Sequence, residues 1–544
     1  MAITLSPRLR SVLFWILLIA FAGISLWWIF AVPYREGEVL RAIPVEATFV
    51  SWHRAPIERL DRLLSHPWVR MAIRENGGDW ASLQTLLDSK EGRIWKERLA
   101  RREMAVAYVP ALRFSGMPAW IFSFWVGGFS QRLRWMLETQ EKSAFRAAAP
   151  EPGRMIWVFS NMQGLPPGWH LSVAVREGVV LAALSPDPLA ARTALLTAEG
   201  ISAVPNIRAA GWLEEALRKL RTPPLPDRGW WRDDREGTLW CFDIAWEEDE
   251  TWTIELCADR PAPPPVAADW APLTRLSQEA EGSMHLSWPW LYPTVRSWDG
   301  DLALGIDRLV MGVSGRREVP LWIGVFGGER GGRIRSLFGS GLSERIQGLK
   351  VPLLVLALPA VDEHRARETA AAVLDLLNQK WPYGLVPRPA GVSSGRELTA
   401  IEGTLGGFYR DLAPSEEVVY TVAEGWFFLA SHIGAFENLI PLVAQGGGSG
   451  GVESRAAGLS ARGQELSRSL GRFLSALSLS YALGGSPSAE RMRHQIRQWR
   501  RWLAWLEGAE RIELVWRPSG AGSRMTIRLR PASSTPAILE DRNP

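Results

Sequence analysis

Two segments of this 544-residue chain share one plan, and that repetition constrains the fold more than any other feature. Tyr420 to Ser431, YTVAEGWFFLAS, and Ser172 to Leu184, SVAVREGVVLAAL, are each a pair of short apolar runs broken by Glu-Gly, at Glu424-Gly425 and Glu177-Gly178. An acidic residue followed by Gly between β-formers signals a tight hairpin, because Gly supplies the left-handed backbone that such a turn needs. A polar corner and a helix-like segment follow each hairpin, over 187–197 and 434–443. The pattern predicts an α+β fold built twice.

Further matches keep the same order along the chain. ATFVSW, ending at Trp52, is echoed by GSMHLSW, ending at Trp288; the strand-turn-helix segment from Pro118 is echoed from Val351. Strand candidates at 154–160 and 397–403 lead into the two hairpins, and each half closes on a strand pair, 239–256 in the first and 511–516 with 525–529 in the second. Preserved order with drifting spacing is what duplication with insertions leaves. Two tandem, internally duplicated α+β units with antiparallel sheets are therefore expected, over 44–262 and 282–532, with a Pro-rich spacer at 263–281 and a tail at 533–544. A length above what one core serves, with 47% apolar and 22% charged residues, agrees with two globular units. The second unit carries an insertion: apolar stripes through Leu466, Leu470, Phe473 and Leu474, then Ile496, Trp499 and Leu503, predict a helical hairpin over 459–508.

The N-terminus sets the expected location. Ser11 to Val32 carries no charge and reaches the roughly 20 residues that a helix needs to cross a bilayer. Arg8 and Arg10 precede it, and Trp27 and Trp28 lie near its far end. The reading is a transmembrane anchor helix over 11–32 within an N-terminal stub and anchor of 1–35, making membrane lipid a partner. The rest of the chain is expected outside the cell membrane, in a periplasmic compartment, as a single-pass protein. A cleaved secretion signal is the competing reading, since Ala20-Phe21-Ala22 has the small-x-small form; cleavage there would leave an apolar mature terminus.

Anchor helix, early strand at Pro44 to Ser51, and Glu-Gly hairpins ending in Leu429-Ala430-Ser431 together resemble a group of uncharacterised bacterial membrane-anchored envelope proteins, grouped as a domain of unknown function. The resemblance spans most of 44–530 in pattern. It implies an envelope location and brings no catalytic residues.

Searches for chemistry return little. Two stretches fit G-x-S-x-G, around Ser393 and Ser449, but neither has the strand before and helix after that a nucleophile elbow requires. There is no phosphate loop and no metal-spaced histidine cluster among His53, His66, His170, His285, His364, His432 and His494. Asp362-Glu363-His364 reads as a helix cap. Glu177 and Glu424, one in each matched turn, read as turn formers. No catalytic residue, metal or cofactor is expected.

Three features remain as candidate sites. Pairing Trp246 with Trp252 sets Cys241 opposite Cys257, so these two can bridge in an oxidising compartment or stay as two buried thiols. Tryptophan is abundant, at 29 residues, and exposed rings could stack on a glycan. Trp499, Trp502 and Trp505, with Arg493, Arg497, Arg500 and Arg501, mark the second arm of the hairpin as a candidate ligand or partner surface. A net charge of +4 does not call for nucleic acid. The expected function is a non-enzymatic, membrane-anchored binding, scaffold or assembly protein. The alternatives are a Trp-rich cell-wall carbohydrate binder or hydrolase, and a subunit docking on a membrane complex through its hairpin.

Overall fold

The computed structural model describes residues 15–23, 32–75, 79–139, 146–151, 154–159, 165–201, 205–209, 225–232, 237–247, 251–298, 300–327, 332–333, 350–380, 384–402, 418–431, 436–446, 453–484, 496, 499–500, 502–519 and 522–532. It divides into two compact units, Met1–Ala245 and Trp246–Pro544.

After a helix over residues 15–23 (α1), the first unit has β1 (Phe49–Arg54), α2 (Ile57–Ser65), α3 (Pro67–Glu75), α4 (Trp80–Asp88), α5 (Lys90–Leu99), β2 (Glu103–Val109) and β3 (Ala119–Trp125). It continues with α6 (Phe129–Thr139), β4 (Arg146–Glu151), β5 (Arg154–Phe159), β6 (His170–Arg176), β7 (Val179–Ser185), α7 (Ala191–Ala198), β8 (Asp227–Arg232) and β9 (Leu239–Trp246). All ladders are antiparallel, and neighbours run β4-β5-β6-β7-β3-β2-β1-β8-β9.

The second unit contains β10 (Trp252–Ala258), β11 (Val266–Ala268), α8 (Ala271–Glu279), β12 (Gly282–Ser287), α9 (Trp288–Trp298), α10 (Gly300–Ser314), β13 (Pro320–Phe326), β14 (Gly332–Arg333), β15 (Lys350–Val351) and β16 (Leu353–Pro359). Then follow α11 (Glu363–Lys380), β17 (Val386–Ser393), β18 (Arg396–Glu402), β19 (Val418–Ala423), β20 (Trp426–Ala430), α12 (Ile440–Gly446), β21 (Glu453–Arg455), β22 (Ala457–Ala461), α13 (Gly463–Gly484), β23 (Ala509–Ser519) and β24 (Gly522–Pro531). Its neighbours run β17-β18-β19-β20-β16-β13-β12-β22-β23-β24-β10, so strands in matching chain positions hold matching places in the two series.

Two expectations are corrected here. The first is of two tandem units, each with its own sheet: twenty strands instead join in one antiparallel sheet. The strand expected to close the first half, β10, falls within the second compact unit, where it pairs with β24 along Trp252↔Leu529 to Ala258↔Ser523. Pairing the two closing strands satisfies backbone groups that two separate sheets would leave as open edges. The second is of a transmembrane helix over 11–32. No described helix is long and apolar enough to cross a membrane; residues 1–14 and 24–31 lie outside the described residues.

Alternation builds the core. In β2 and β3 every second residue is buried, and Ala105, Ala107 and Ile121 pack with Val50, Leu181 and Ala183 under α7 (Ala191, Ala194, Leu195) and a 3-10 turn (Val39, Leu40). The opposite sheet face of this unit bears an aromatic row in which Phe49 stacks on Phe242 at 6.0 Å and meets Trp120 at 6.1 Å. Gly229 makes that row continuous, since a Cβ there would stand 2.5 Å from the Phe242 ring. In the second unit both faces are covered. Val355, Ala357 and Phe428 join Trp270, Leu273 and Phe436, while Leu358, Val422 and Phe427 join Trp288, Val310 and Val313. The Pro-rich join carries β11 and α8, with Trp270, Leu273 and Leu276 buried in the second unit. Trp246 and Trp252 meet at 4.7 Å over a turn closed by Glu247 N donating to Thr251 O.

Candidate functional site

The Glu-Gly turn of the first unit is held from both sides. Gly178 N donates to Ser130 Oγ at 2.9 Å, and Val126 N and Gly127 N donate to Gly178 O at 2.8 and 2.9 Å. Both turn residues are left-handed, Glu177 at φ 28° and Gly178 at φ 85°. A Cβ on residue 178 would stand 2.8 Å from the Trp125 ring, so both the dihedral and the close approach require Gly here. The start of α6 is thereby tied to the tips of β6 and β7, and a cleft of about 280 Å³ opens beside the turn.

Arginine dominates its lining. Arg154 places Nε and Nη2 each 2.7 Å from Glu199 Oε2, and Arg176 Nη1 lies 3.3 Å from Glu199 Oε1. Among the described residues Arg134 is held only by Glu138, one turn along its own helix at 2.8 Å, with both side chains 40% exposed or more. An exposed pair of that kind contributes at most a few tenths of a kcal/mol. Trp157 also lines the cleft, at 1% exposure, and its indole Nε1 is buried with no hydrogen-bond acceptor among the described residues.

The second unit treats the matching place differently. Trp157 faces Val173 and Thr399 faces Tyr420; counting to the strand ends puts Arg154 opposite Arg176 and Arg396 opposite Ala423, each one residue before a Glu-Gly turn. Arg396 Nη2 donates to Glu424 Oε1 at 2.8 Å, across the turn. Arg154 turns to Glu199 instead, and exposed Glu177 has no ion-pair partner among the described residues.

A second constellation escaped the sequence reading. On β1 and β8, Ser51 Oγ lies 3.0 Å from His53 Nε2, and His53 Nδ1 lies 2.8 Å from Asp227 Oδ1. Ser51 and His53 share a sheet face two residues apart, and β1–β8 register sets His53 directly opposite Asp227. Such distances match a nucleophile-base-acid line. Three observations make it a structural tie. Arg59 donates Nε to Asp227 Oδ2 at 2.7 Å and Nη2 to Oδ1 at 3.0 Å, which spreads the carboxylate's charge over two donors. Ser51 is 7% exposed in mid-strand, and no strand-to-helix elbow presents it. Burial pushes Asp227 up, but the bonds and charges of His53 and Arg59 outweigh it and hold the carboxyl below its ordinary value. The line was invisible beforehand because its acid stands 174 positions from its histidine.

The residues singled out in the sequence fall as follows. Cys241 and Cys257 are both buried, Cys241 across from Trp230 and Cys257 across from Arg524. Trp499 is 53% and Trp502 72% exposed, Arg500 is exposed and Trp505 half-buried, whereas Arg493, Arg497 and Arg501 lie outside the described residues. Ser393 sits at the β17–β18 turn and Ser449 lies outside the described residues. Asp362 caps α11 by accepting from Arg365 N at 2.8 Å. His432 and His494 are outside the described residues, and no group of three or more His, Cys, Asp or Glu side chains able to hold a metal occurs among the described ones. Comparison of the chain with protein-family models, curated proteins and solved structures finds no match to any of them.

Proposed function

We propose that this chain is a non-enzymatic binding protein whose ligand seats in the first-unit cleft. One observation carries this reading: Arg396 pairs with the turn glutamate Glu424 in the second unit, whereas Arg154 in the matching place of the first pairs with Glu199, beside a cleft that Arg134, Arg154, Arg176 and Glu177 line. A polar cleft beside a turn glutamate that has no ion-pair partner among the described residues fits a ligand site better than a packing position. The serine line on β1 and β8 argues against catalysis, because its acid is already engaged by Arg59. Native mass spectrometry of the full chain after incubation with a small-molecule extract tests this. A retained mass lost in Arg134→Gln supports it, and identical spectra for the two proteins overturn it.

A separate observation favours contact with a lipid surface. Helix α1 presents Trp15, Ile16, Leu17, Ile19 and Phe21 to solvent, each more than half exposed, and an apolar group of that extent calls for a cover. The full chain should float with phosphatidylcholine vesicles in a density gradient, and Leu17→Asp with Ile19→Asp should leave it at the bottom. Equal flotation of both proteins removes the reading.

A further inference from the structure

We propose that the ligand of the first-unit cleft is a small oxyanion, a carboxylate or phosphate group, bound by Arg134 and by the indole Nε1 of Trp157. The inference rests on the binding reading above and adds the ligand's chemistry. Buried donors in folded proteins are nearly always paired, and an orphaned one signals strain, an absent water or a binding role. Trp157 Nε1 is such a donor, and it can only give a hydrogen bond, so what completes it must be an acceptor. Ser130 adds a second donor, because its Oγ accepts from Gly178 N and donates to no acceptor among the described residues. Arg134, tied among the described residues only by its exposed pair with Glu138, can turn into the cleft as a ligand enters and supply the positive charge. A guanidinium and a neutral N–H around one oxygen pair suit a carboxylate or phosphate.

Alternative ligands fit less well. A cation would meet Arg134, Arg154 and Arg176 against Glu177 and Glu199, a lining with one net positive charge. Glu199 in turn keeps the other two arginines from collapsing onto the ligand position, since both already point to its carboxylate.

Titration calorimetry of the full chain at constant ionic strength tests the proposal, with inorganic phosphate and acetate as oxyanion probes, N-acetylglucosamine as the neutral one and sodium chloride as the control. Phosphate or acetate should bind, and Arg134→Gln and Trp157→Phe should each weaken that binding about tenfold or more, the scale of a charge-assisted hydrogen bond. Trp157→Phe should also leave the ligand-free unfolding midpoint unchanged or raised, because it deletes an unpaired donor. A lowered midpoint together with full affinity in Arg134→Gln would make Trp157 a packing residue and overturn the proposal. Binding of the neutral sugar alone would overturn the oxyanion assignment and leave the binding reading standing. If no probe binds and no extract component is retained, both fall.

Discussion

Arg396 donates to Glu424 at 2.8 Å, while Arg154, in the matching place of the first unit, donates to Glu199 at 2.7 Å. The two units thus give this arginine different partners. Glu199→Gln should release Arg154 toward Glu177, with a loss of about 1 kcal/mol or less because the pair is only part-buried. Urea unfolding should show that small loss together with reduced ligand retention. Unchanged retention would mean that Glu199 does not hold the cleft open.

Asp227 joins β8 to β1 and α2 through His53 and Arg59. Asp227→Asn should lose roughly 2–4 kcal/mol, since it leaves Arg59 without its buried counter-charge. The depressed carboxyl contributes stability that is present above its unfolded value of about 3.9 and lost as pH falls through the folded value. Ser51 should stay unlabelled by a fluorophosphonate probe in the native full chain. Stoichiometric labelling blocked by His53→Ala would show a reactive serine instead.

Glu103 is fully buried, and its Oε1 accepts from Trp52 Nε1 at 2.6 Å and from Gly37 N at 2.7 Å. Burial pushes its carboxyl up, so its contribution is fully present below the ordinary value of about 4.3 and is lost as pH rises through the folded one. Glu103→Gln keeps an acceptor without the charge. Its stability relative to wild type should improve between pH 4 and 8, by about 1 kcal/mol, as read by urea midpoints across that range. A constant difference would show that the buried acid does not titrate with folding.

His66, between α2 and α3, is lowered from 6.5 to about 4 by burial. The folded chain therefore resists this proton, and stability present above pH 6.5 is lost as pH falls toward 4. His66→Phe should flatten the midpoint-versus-pH curve in that window. A curve as steep as wild type assigns the acid lability elsewhere.

Trp499 and Trp502 stand on the outer face of the hairpin's second arm, whose inner face buries Ile496 and Leu503 and ties to α13 through Ser467 Oγ donating to Leu503 O at 2.9 Å. Replacing both tryptophans with Ser should change stability by no more than about 0.5 kcal/mol. A loss of 2 kcal/mol or more in thermal unfolding would mean that these rings pack against the body and are not a surface for a partner.

The Glu-Gly hairpins and the alternating strands were legible in the sequence because each is set by neighbours within a few residues: left-handed dihedrals at 177–178 and 424–425, and inward burial at every second position of β2 and β3. Turn chemistry and period-2 burial are local properties. Three things were decided only by the fold. Whether the closing strands end two sheets or share one depended on β10 finding β24 across more than 260 residues, and edge pairing leaves no local mark. The pairing of His53 with Asp227 depended on β1–β8 register, and the pairing of Arg154 with Glu199 depended on the C-cap of α7 reaching β5 across 45 residues. A charge's partner is set by distance in space, and composition along the chain does not encode it.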